Sequence, residues 1–333
     1  MLEKEIDKTH WVNPDERIEY YLNFHSSLEL NIDGFNKLIN RDYWSRREID
    51  YISFSQYKYG VKHLYTKYLM HLPIIRELRA LPFYKRYRDL HTLIDFFLPF
   101  NKLETSIADF KFPIYYGEHR STEIFPVIRK ARKITDKYGI LYDLRSLRYN
   151  SPCYTVMKND IDWSEKNNDV IWRGATTGEQ LVRETFVQNY HTKYNVGFST
   201  SKQKPHLADL VKERISIADQ LKSKFIVSLQ GNDLASNIRW VLYSNSVPIM
   251  PKPKWTSWTM ETKLEPNVHY LELNDDLSNL DELLAWASKN DKECQQIALN
   301  GKSYAAQFLD RDYDTRLRLR LLEEYANRLK IIK

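Results

Sequence analysis

Two stretches of this chain combine glycine, small hydroxyl residues and arginine in an order that suits a bound diphosphate. In the first, an apolar run is followed by the letters RGATTG and by a predicted helix that contains Arg183. In the second, an apolar run is followed by QGND and by a predicted helix that contains Ser236 and Arg239. Glycine lets the backbone approach a ligand closely, and arginine binds two oxygens at once. Ordinary turn glycines and solvated arginines are the alternative, because neither stretch matches a P-loop or a G-x-G-x-x-G fingerprint.

Strands and helices alternate in the part of the chain that follows residue 165. The apolar runs DVIW and KFIVSL are each followed by a turn and a helical pattern, and further strand candidates, SVPIM and HYLEL, come later. This alternation predicts βαβ units around a parallel sheet. Ligands of such sheets bind beyond the carboxyl ends of the strands, where both glycine turns are expected. The predicted fold class is therefore α/β.

Long helices are predicted before residue 165, because apolar and aromatic residues recur there at three- and four-residue steps over 16–44 and 63–97. Strand candidates cover 112–116 and 139–144, and the polar stretch 150–168 is a predicted linker. Residues 315–330 predict a basic amphipathic helix with Leu317, Leu321 and Tyr325 on one side. This closing helix is expected either to cross back over the domains or to contact anionic lipid.

Composition narrows the class of protein. A chain of 333 residues favours two domains. The net charge of +6, from 50 basic and 44 acidic residues, is too small to indicate nucleic acid. Two cysteines exclude a disulfide framework or a cysteine zinc cluster and favour a reducing compartment. No apolar run of 18 residues is present and the amino terminus is charged, so a cytoplasmic protein is expected.

Two further motifs have competing interpretations. Asp160 and Asp162 spell D-I-D, which is similar to a metal-binding motif of other transferases, but a polar segment precedes it and a linker acid is the favoured interpretation. His269 lies at the end of a predicted strand, where it either contacts a ligand or binds the backbone. Zinc is not expected, because the nine histidines form no H-E-x-x-H motif.

The second half of the chain resembles glycosyltransferase family 90. The similarity lies in the run SKFIVSLQGNDLASNIRWVLYSNSVPIMPKPKWTSW and in LEPNVHYLELNDDLSNL. Upstream, IWRGATTGE is similar to the family's RG-x-x-T segment and FPVIRKAR to its P-V-x-x-x-K-x-R region. The resemblance covers about residues 105–310. The family includes lipopolysaccharide-modifying transferases, capsule xylosyltransferases and protein O-glucosyltransferases, and WTSWTMETKLEPNVHY is most similar to the bacterial lipopolysaccharide branch.

The resemblance implies a GT-B architecture, in which two Rossmann-like domains face a cleft. Residues 1–165 would form a helical region with an acceptor-side domain, 166–310 the nucleotide-sugar domain, and 311–333 the closing helix. It also implies an inverting reaction that uses a UDP-sugar and needs no metal or other cofactor. The nucleotide-sugar site implied by the family comprises Arg173, Gly174, Thr177, Arg183, Gly231, Ala235, Ser236, Arg239 and Glu261.

Within that set, the family positions place Arg183 and Arg239 on the diphosphate. Glu261 is expected to accept from ribose hydroxyls, and a solvated helix carboxylate is the alternative. Inversion needs a general base that deprotonates the acceptor hydroxyl. The segment SIADFKFP makes Asp109 the expected base, and Glu118 and Asp95 are its alternatives.

Lys130 and Arg132 match the family's K-x-R pair and are expected to face an anionic acceptor. The resemblance therefore implies transfer of a sugar to a glycan hydroxyl such as one of the lipopolysaccharide core. Capsule or protein O-glycosylation and a catalytically inactive nucleotide-sugar-binding protein are the alternatives. The expected location is the cytoplasm, with peripheral contact to the anionic inner face of the plasma membrane as an option, and no nucleic-acid partner is expected.

Overall fold

The computed structural model of the chain describes residues 8–33, 49–52, 107, 110–115, 126–144, 146–178 and 181–332. The expected base Asp109, its alternatives Asp95 and Glu118, and the predicted helix over 63–97 lie outside these residues. So does the second half of the helix predicted over 16–44, from residue 34 onward.

The strands are short and most of them have buried residues. In chain order they are β1 Leu28–Asn31, β2 Ile49–Ile52, β3 Phe112–Tyr115, β4 Ile128–Arg129, β5 Ala131–Lys133, β6 Ile140–Leu141, β7 Asn167–Ala175, β8 Asn195–Thr200, β9 Ser223–Val227, β10 Val247–Pro251, β11 Trp255–Ser257, β12 Leu271–Leu273 and β13 Leu329–Ile332. The helices are α1 Pro14–Tyr21, α2 Ser146–Asn159, α3 Val182–Tyr190, α4 Ile217–Gln220, α5 Ile238–Leu242, α6 Leu280–Ala287, α7 Asp291–Ala306 and α8 Arg311–Arg328.

The chain divides into two compact units. The first unit comprises residues 1–11 and 148–310, and the second comprises residues 12–147 and 311–333. The closing helix therefore belongs to the same unit as most of the amino-terminal half. Whether these units act as donor and acceptor domains, with the functional boundary at residue 165, stays a prediction.

A five-stranded parallel sheet forms the centre of the first unit. Its spatial order is β8-β7-β9-β10-β12, and the pairs β7–β8, β7–β9, β9–β10 and β10–β12 are all parallel. The first strand of the sheet in chain order, β7, is thus flanked by the second and the third. The direction of winding reverses between β7 and β9, and ligands of open α/β sheets bind at such a switch point. This sheet confirms the predicted α/β class.

Helices cover both faces of this sheet, and successive strand residues contact opposite faces. Val170 and Trp172 of β7 pack in one core cluster, which includes residues of α3 and α7. Ile171 between them packs in a second cluster with Ile226 of β9 and residues of α2 and α5. Burial on both faces explains why the strands read as continuous apolar runs.

Two predicted elements of the sequence are corrected by the structure. The stretch 150–168, predicted as a linker, begins inside α2, where Cys153 and Val156 at helical spacing are buried against the sheet. Residues 28–31, predicted as helix, form β1 instead. The preceding helix ends because Asn23 and Phe24 adopt left-handed backbone conformations, with φ of 60° and 59°, and Leu28 and Leu30 then alternate with exposed residues.

The second unit contains two small sheets and the closing helix. In the larger sheet, of order β2-β3-β4-β6, β2 is antiparallel to β3 and the other pairs are parallel. In the smaller sheet β1 pairs with β13 in parallel. As predicted, Leu317, Leu321 and Tyr325 of α8 face one side, where all three are buried. Among the described residues, no helix combines the length and the apolarity that crossing a bilayer requires.

Candidate functional site

The two predicted glycine turns meet at the switch point of the sheet. Gly178 follows β7 and has φ of +110°, and a Cβ there would lie 3.0 Å from the carbonyl oxygen of Gly231, which follows β9. A Cβ on Gly231 would lie 3.0 Å from both Arg183 Nη2 and Thr177 Oγ1. The structure therefore brings Gly231, Thr177 and Arg183 together, and only glycine lets the two turns approach so closely.

Arg183 holds the two turns together. From α3, its Nη1 donates to the carbonyl oxygen of Ala175 at 3.0 Å and to Thr177 Oγ1 at 2.5 Å. Its Nε and Nη2 donate to the carbonyl oxygens of Gln230 and Leu229 at 3.1 and 2.9 Å. One guanidinium thus binds backbone groups at the ends of both β7 and β9. These contacts give Arg183 a positioning role. Its contact with a diphosphate stays a prediction.

Arg173 and Gly174 lie at the end of β7. The Arg173 guanidinium donates to the carbonyl oxygens of Glu213 and Asn195, at 3.0 and 2.8 Å, and burial lowers the pKa of Arg173. A Cβ on Gly174 would lie 2.4 Å from the Trp172 ring. These contacts position the strand and its neighbours, and direct donor binding by either residue stays a prediction.

A cleft that opens to solvent lies beyond the carboxyl ends of β9 and β10. Its lining includes the predicted residues Ala235 and Glu261 and begins beside the glycine junction, at Gln230. Ser236 is exposed in the same loop. The helix predicted around Ser236 begins later, at Ile238, and has only five residues.

Arg239 is buried inside the first unit. Its Nε donates to Thr259 Oγ1 at 2.9 Å and its Nη1 to Asn150 Oδ1 at 2.7 Å. The guanidinium also lies 5.3 Å from the centre of the Tyr149 ring. The side chain is thus fixed by α2 and by the turn after β11, and its interaction with a donor stays a prediction.

Glu261 is 4% exposed, so the alternative of a solvated carboxylate is wrong. Its Oε2 accepts from the Ser257 backbone N–H at 2.7 Å, and its Oε1 accepts from the Ser257 hydroxyl at 2.8 Å. Burial raises the pKa of Glu261, whereas these hydrogen bonds and the charge of Arg239 oppose the rise. Glu261 lines the cleft, and ribose binding stays a prediction.

His269 binds the backbone, as one of its two interpretations predicted. Its Nδ1 accepts from the Glu265 N–H at 3.1 Å, and its Nε2 lies 3.1 Å from His10 Nδ1. Burial, and then the neighbouring His10, lower the pKa of His269 to about 4. The imidazole is therefore neutral in the folded protein at pH 7.

Acidification is expected to destabilise the fold through His269. Between pH 6.5 and about 4 the unfolded chain binds a proton at this residue that the folded chain does not, so the free energy of unfolding falls as pH falls. The contribution is about 3 kcal/mol. Urea unfolding at pH 7 and pH 4 measures it: the stability difference between the unmodified protein and His269→Gln should shrink by that amount. His191→Gln is the control, and a constant difference for His269→Gln would contradict the expectation.

Lys130 and Arg132 belong to the second unit, where both are buried. Arg132 Nη1 donates to the carbonyl oxygens of Gly139 and Tyr21, at 2.7 and 3.1 Å, and Nη2 donates to that of Tyr20 at 2.5 Å. Burial lowers the pKa of Arg132 to about 10. These contacts tie the end of α1 to the turn before β6, and acceptor binding by Lys130 or Arg132 stays a prediction.

The D-I-D segment has a structural role at Asp160. Its Oδ1 binds Lys166 Nζ at 2.6 Å and its Oδ2 accepts from the Asn245 N–H at 2.6 Å. Across the described ranges, no three His, Cys, Asp or Glu side chains gather in a way that would bind a metal ion. The interpretation as a linker acid is corrected, because Asp160 directly follows α2 and is bound within the fold by Lys166 and Asn245.

Sequence reasoning missed several residues of this region. Asn150 and Thr259 contact Arg239 from segments distant in the chain, and no local sequence pattern indicates these contacts. Ser228 lines the cleft and is the first polar residue after the apolar run of β9. That position, at the carboxyl end of a central strand, is the signal that could have identified Ser228.

Comparison with known proteins identifies the class. The profile of Glycosyl transferase family 90 matches residues 148–332, which include the parallel sheet, the glycine junction and the cleft. The chain is thus a glycosyltransferase. It belongs to glycosyltransferase family 90.

The relatives include one bacterial protein and several animal proteins. The chain is 27% identical to O-glucosyltransferase LpsA of Dichelobacter nodosus over 226 residues, which are 66% of this chain and 68% of the relative. It is 24% identical to human protein O-glucosyltransferase 1 over 169 residues, or 49% and 43% of the two chains. It is 27% identical to zebrafish (Danio rerio) protein O-glucosyltransferase 2 over 171 residues, or 49% and 33%. The chain thus spans about two thirds of the bacterial relative and less than half of the animal ones.

Proposed function

We propose that this glycosyltransferase moves a sugar, with inversion and without a metal, from a UDP-sugar to a glycan hydroxyl within a GT-B arrangement. The observation that carries the proposal is the junction of the two glycine turns at the switch point, beside a cleft that opens to solvent. Both glycine turns follow strands at the edge of the sheet where ligands of open α/β folds bind, and Arg183 fixes both turns in place. The charge of Arg239, which also acts on Glu261, would stabilise the leaving diphosphate.

The proposed reaction is a single displacement at the anomeric carbon of the donor sugar. A general base removes the proton of the acceptor hydroxyl, whose oxygen attacks the anomeric carbon opposite the leaving group. The bond from that carbon to the phosphate oxygen breaks, and the nucleoside diphosphate leaves with the bonding electrons. Asp109 is the proposed base, with Glu118 and Asp95 as alternatives, and Glu261 the proposed partner of the ribose hydroxyls.

The lipopolysaccharide core is the proposed acceptor, with the enzyme acting in the cytoplasm or on the inner face of the plasma membrane. The proposal draws on the O-glucosyltransferase LpsA relative, which covers more of this chain than the animal relatives do. The animal relatives are named protein O-glucosyltransferases, so a protein hydroxyl is the second candidate acceptor.

A donor-hydrolysis screen tests the proposal. The purified chain is incubated with UDP-glucose, UDP-galactose, UDP-xylose, UDP-N-acetylglucosamine or GDP-mannose, each with EDTA or with Mn²⁺, and nucleotide release is followed. One UDP-sugar is expected to be hydrolysed equally well with EDTA and with Mn²⁺. Arg239→Ala should abolish the release, and Arg214→Ala, a change at an exposed arginine of the same unit, should leave it intact.

Other outcomes contradict parts of the proposal. Release that needs Mn²⁺ would overturn the metal-independent mechanism, and release from GDP-mannose alone would overturn the UDP assignment. If no donor is hydrolysed, calorimetric titration with UDP separates the remaining explanations. Binding without turnover, unchanged in Asp109→Asn, would favour a nucleotide-sugar-binding protein over an enzyme.

A further inference from the structure

The floor of the cleft carries a buried hydroxyl that the predicted site does not include. Ser228 is the first residue after β9, is 2% exposed and lines the cleft. Its backbone N–H donates to the Ile249 carbonyl oxygen at 2.9 Å, which fixes the residue against β10. Its Oγ, in contrast, has no hydrogen-bond partner among the residues that the structure describes.

Other buried serines of the first unit use their hydroxyls within the fold. Ser244 Oγ donates to the Val241 carbonyl oxygen at 2.7 Å, and Ser246 Oγ donates to that of Ser223 at 2.8 Å. A buried hydroxyl without a partner destabilises a protein, and buried polar groups are normally hydrogen-bonded. Ser228 lacks such a partner within the described part of the chain and, unlike Ser244 and Ser246, lines the cleft. This difference indicates that a ligand supplies the missing partner.

The surroundings of Ser228 indicate which part of a ligand binds there. The apolar side chains that line the cleft are Val182, Leu234, Ile238, Met250, Pro251, Pro253, Trp255 and Leu277. The Trp255 ring offers a flat apolar surface of the kind that accepts a planar ring. The glycine junction lies beside Gln230 at the border of this lining. A diphosphate at the junction would place the nucleoside of the same ligand over the cleft floor.

We infer that the Ser228 hydroxyl hydrogen-bonds the nucleoside of the donor and is a specificity-determining residue of this cleft. The inference rests on the proposed function, because it takes the nucleotide of the donor as the ligand. A serine hydroxyl both donates and accepts, so it can serve a carbonyl or an N–H group of a pyrimidine edge as well as a ribose hydroxyl. Once the ligand is bound, the buried hydroxyl is satisfied.

Calorimetric titrations of the full chain with UDP, UMP and inorganic pyrophosphate test this inference. Ser228→Ala is expected to weaken the binding of UDP and of UMP by the same factor, about 3- to 10-fold, as the loss of one uncharged hydrogen bond predicts. Pyrophosphate, which has no nucleoside, should bind both proteins equally. Ser246→Ala is the matched control, since it removes a buried serine hydroxyl at the start of β10 that the cleft does not use.

The other possible results contradict either the role of Ser228 or the proposed function. Unchanged UDP affinity in Ser228→Ala would overturn the inference and leave the proposed function in place. A loss that extends to pyrophosphate would also overturn it, because the hydroxyl would then serve the phosphates. If the unmodified protein binds neither UDP nor UMP, the UDP assignment itself fails, and the Ser228 inference fails with it.

Discussion

Arg183→Lys is expected to lower kcat/KM for the proposed UDP-sugar donor about 100-fold, although the substitution keeps the positive charge. The reason is geometric. The planar guanidinium donates to the carbonyl oxygens of Ala175, Leu229 and Gln230 at once. A lysine ammonium is a single point on a flexible stem and does not reproduce this fork. The turns after β7 and β9 would then lose their common support, and a displacement of about 1 Å in a positioning group costs on that order in rate.

The lysine variant separates two roles of Arg183. If the side chain acted only through its charge on the diphosphate, lysine would retain most of the activity. If it acts by holding the two turns, lysine should behave almost as alanine does, and the free energy of unfolding should fall by about 1–3 kcal/mol because carbonyl groups lose their donors. Nucleotide release and urea unfolding measure the two effects. Arg214→Lys, at an exposed arginine of the same unit, is the control, and an Arg183→Lys protein with half of the normal activity would contradict the positioning role.

The parallel sheet, and the place of both glycine turns at the carboxyl ends of its strands, could be predicted from the sequence. The apolar runs of β7 and β9 are continuous because both faces of the sheet are covered, and each is followed at once by its turn. A parallel sheet then places both turns at the same edge. Local sequence patterns and the topology of a parallel sheet are sufficient for this prediction.

The partners of the buried polar groups could not be predicted in the same way. Arg183 binds carbonyl oxygens near residue 229, and Arg239 binds Asn150, which lies 89 positions away in the chain. Any backbone carbonyl is an acceptor, so no residue type marks these contacts. Helix α2 could not be predicted for a related reason. Its polar residues and Pro152 indicate a linker, whereas the helix is stabilised by the packing of Cys153 and Val156 against the sheet.

Arg318→Met is expected to destabilise the second unit by about 3–5 kcal/mol, the usual cost of breaking a buried ion pair on one side. In α8, the Arg318 guanidinium binds Asp143 Oδ2 at 2.7 Å and Asp314 Oδ2 at 2.6 Å. The side chains of Arg318 and Asp143 are each 2% exposed, so the substitution would leave the Asp143 carboxylate buried without this cation. Urea unfolding of the full chain measures the change.

Two further variants show whether the destabilisation comes from the stranded charge or from the lost packing of α8. Arg316→Ala removes an exposed arginine from the same helix and should change the free energy of unfolding by less than about 0.5 kcal/mol. Adding Asp143→Asn to Arg318→Met removes the stranded charge and should restore part of the stability, a coupling that single variants at independent sites do not show. If the double variant is no more stable than Arg318→Met, the ion pair is not the source of the loss. Recovery, in contrast, would mean that the closing helix is held in the second unit by a charge pair 175 positions apart in the chain.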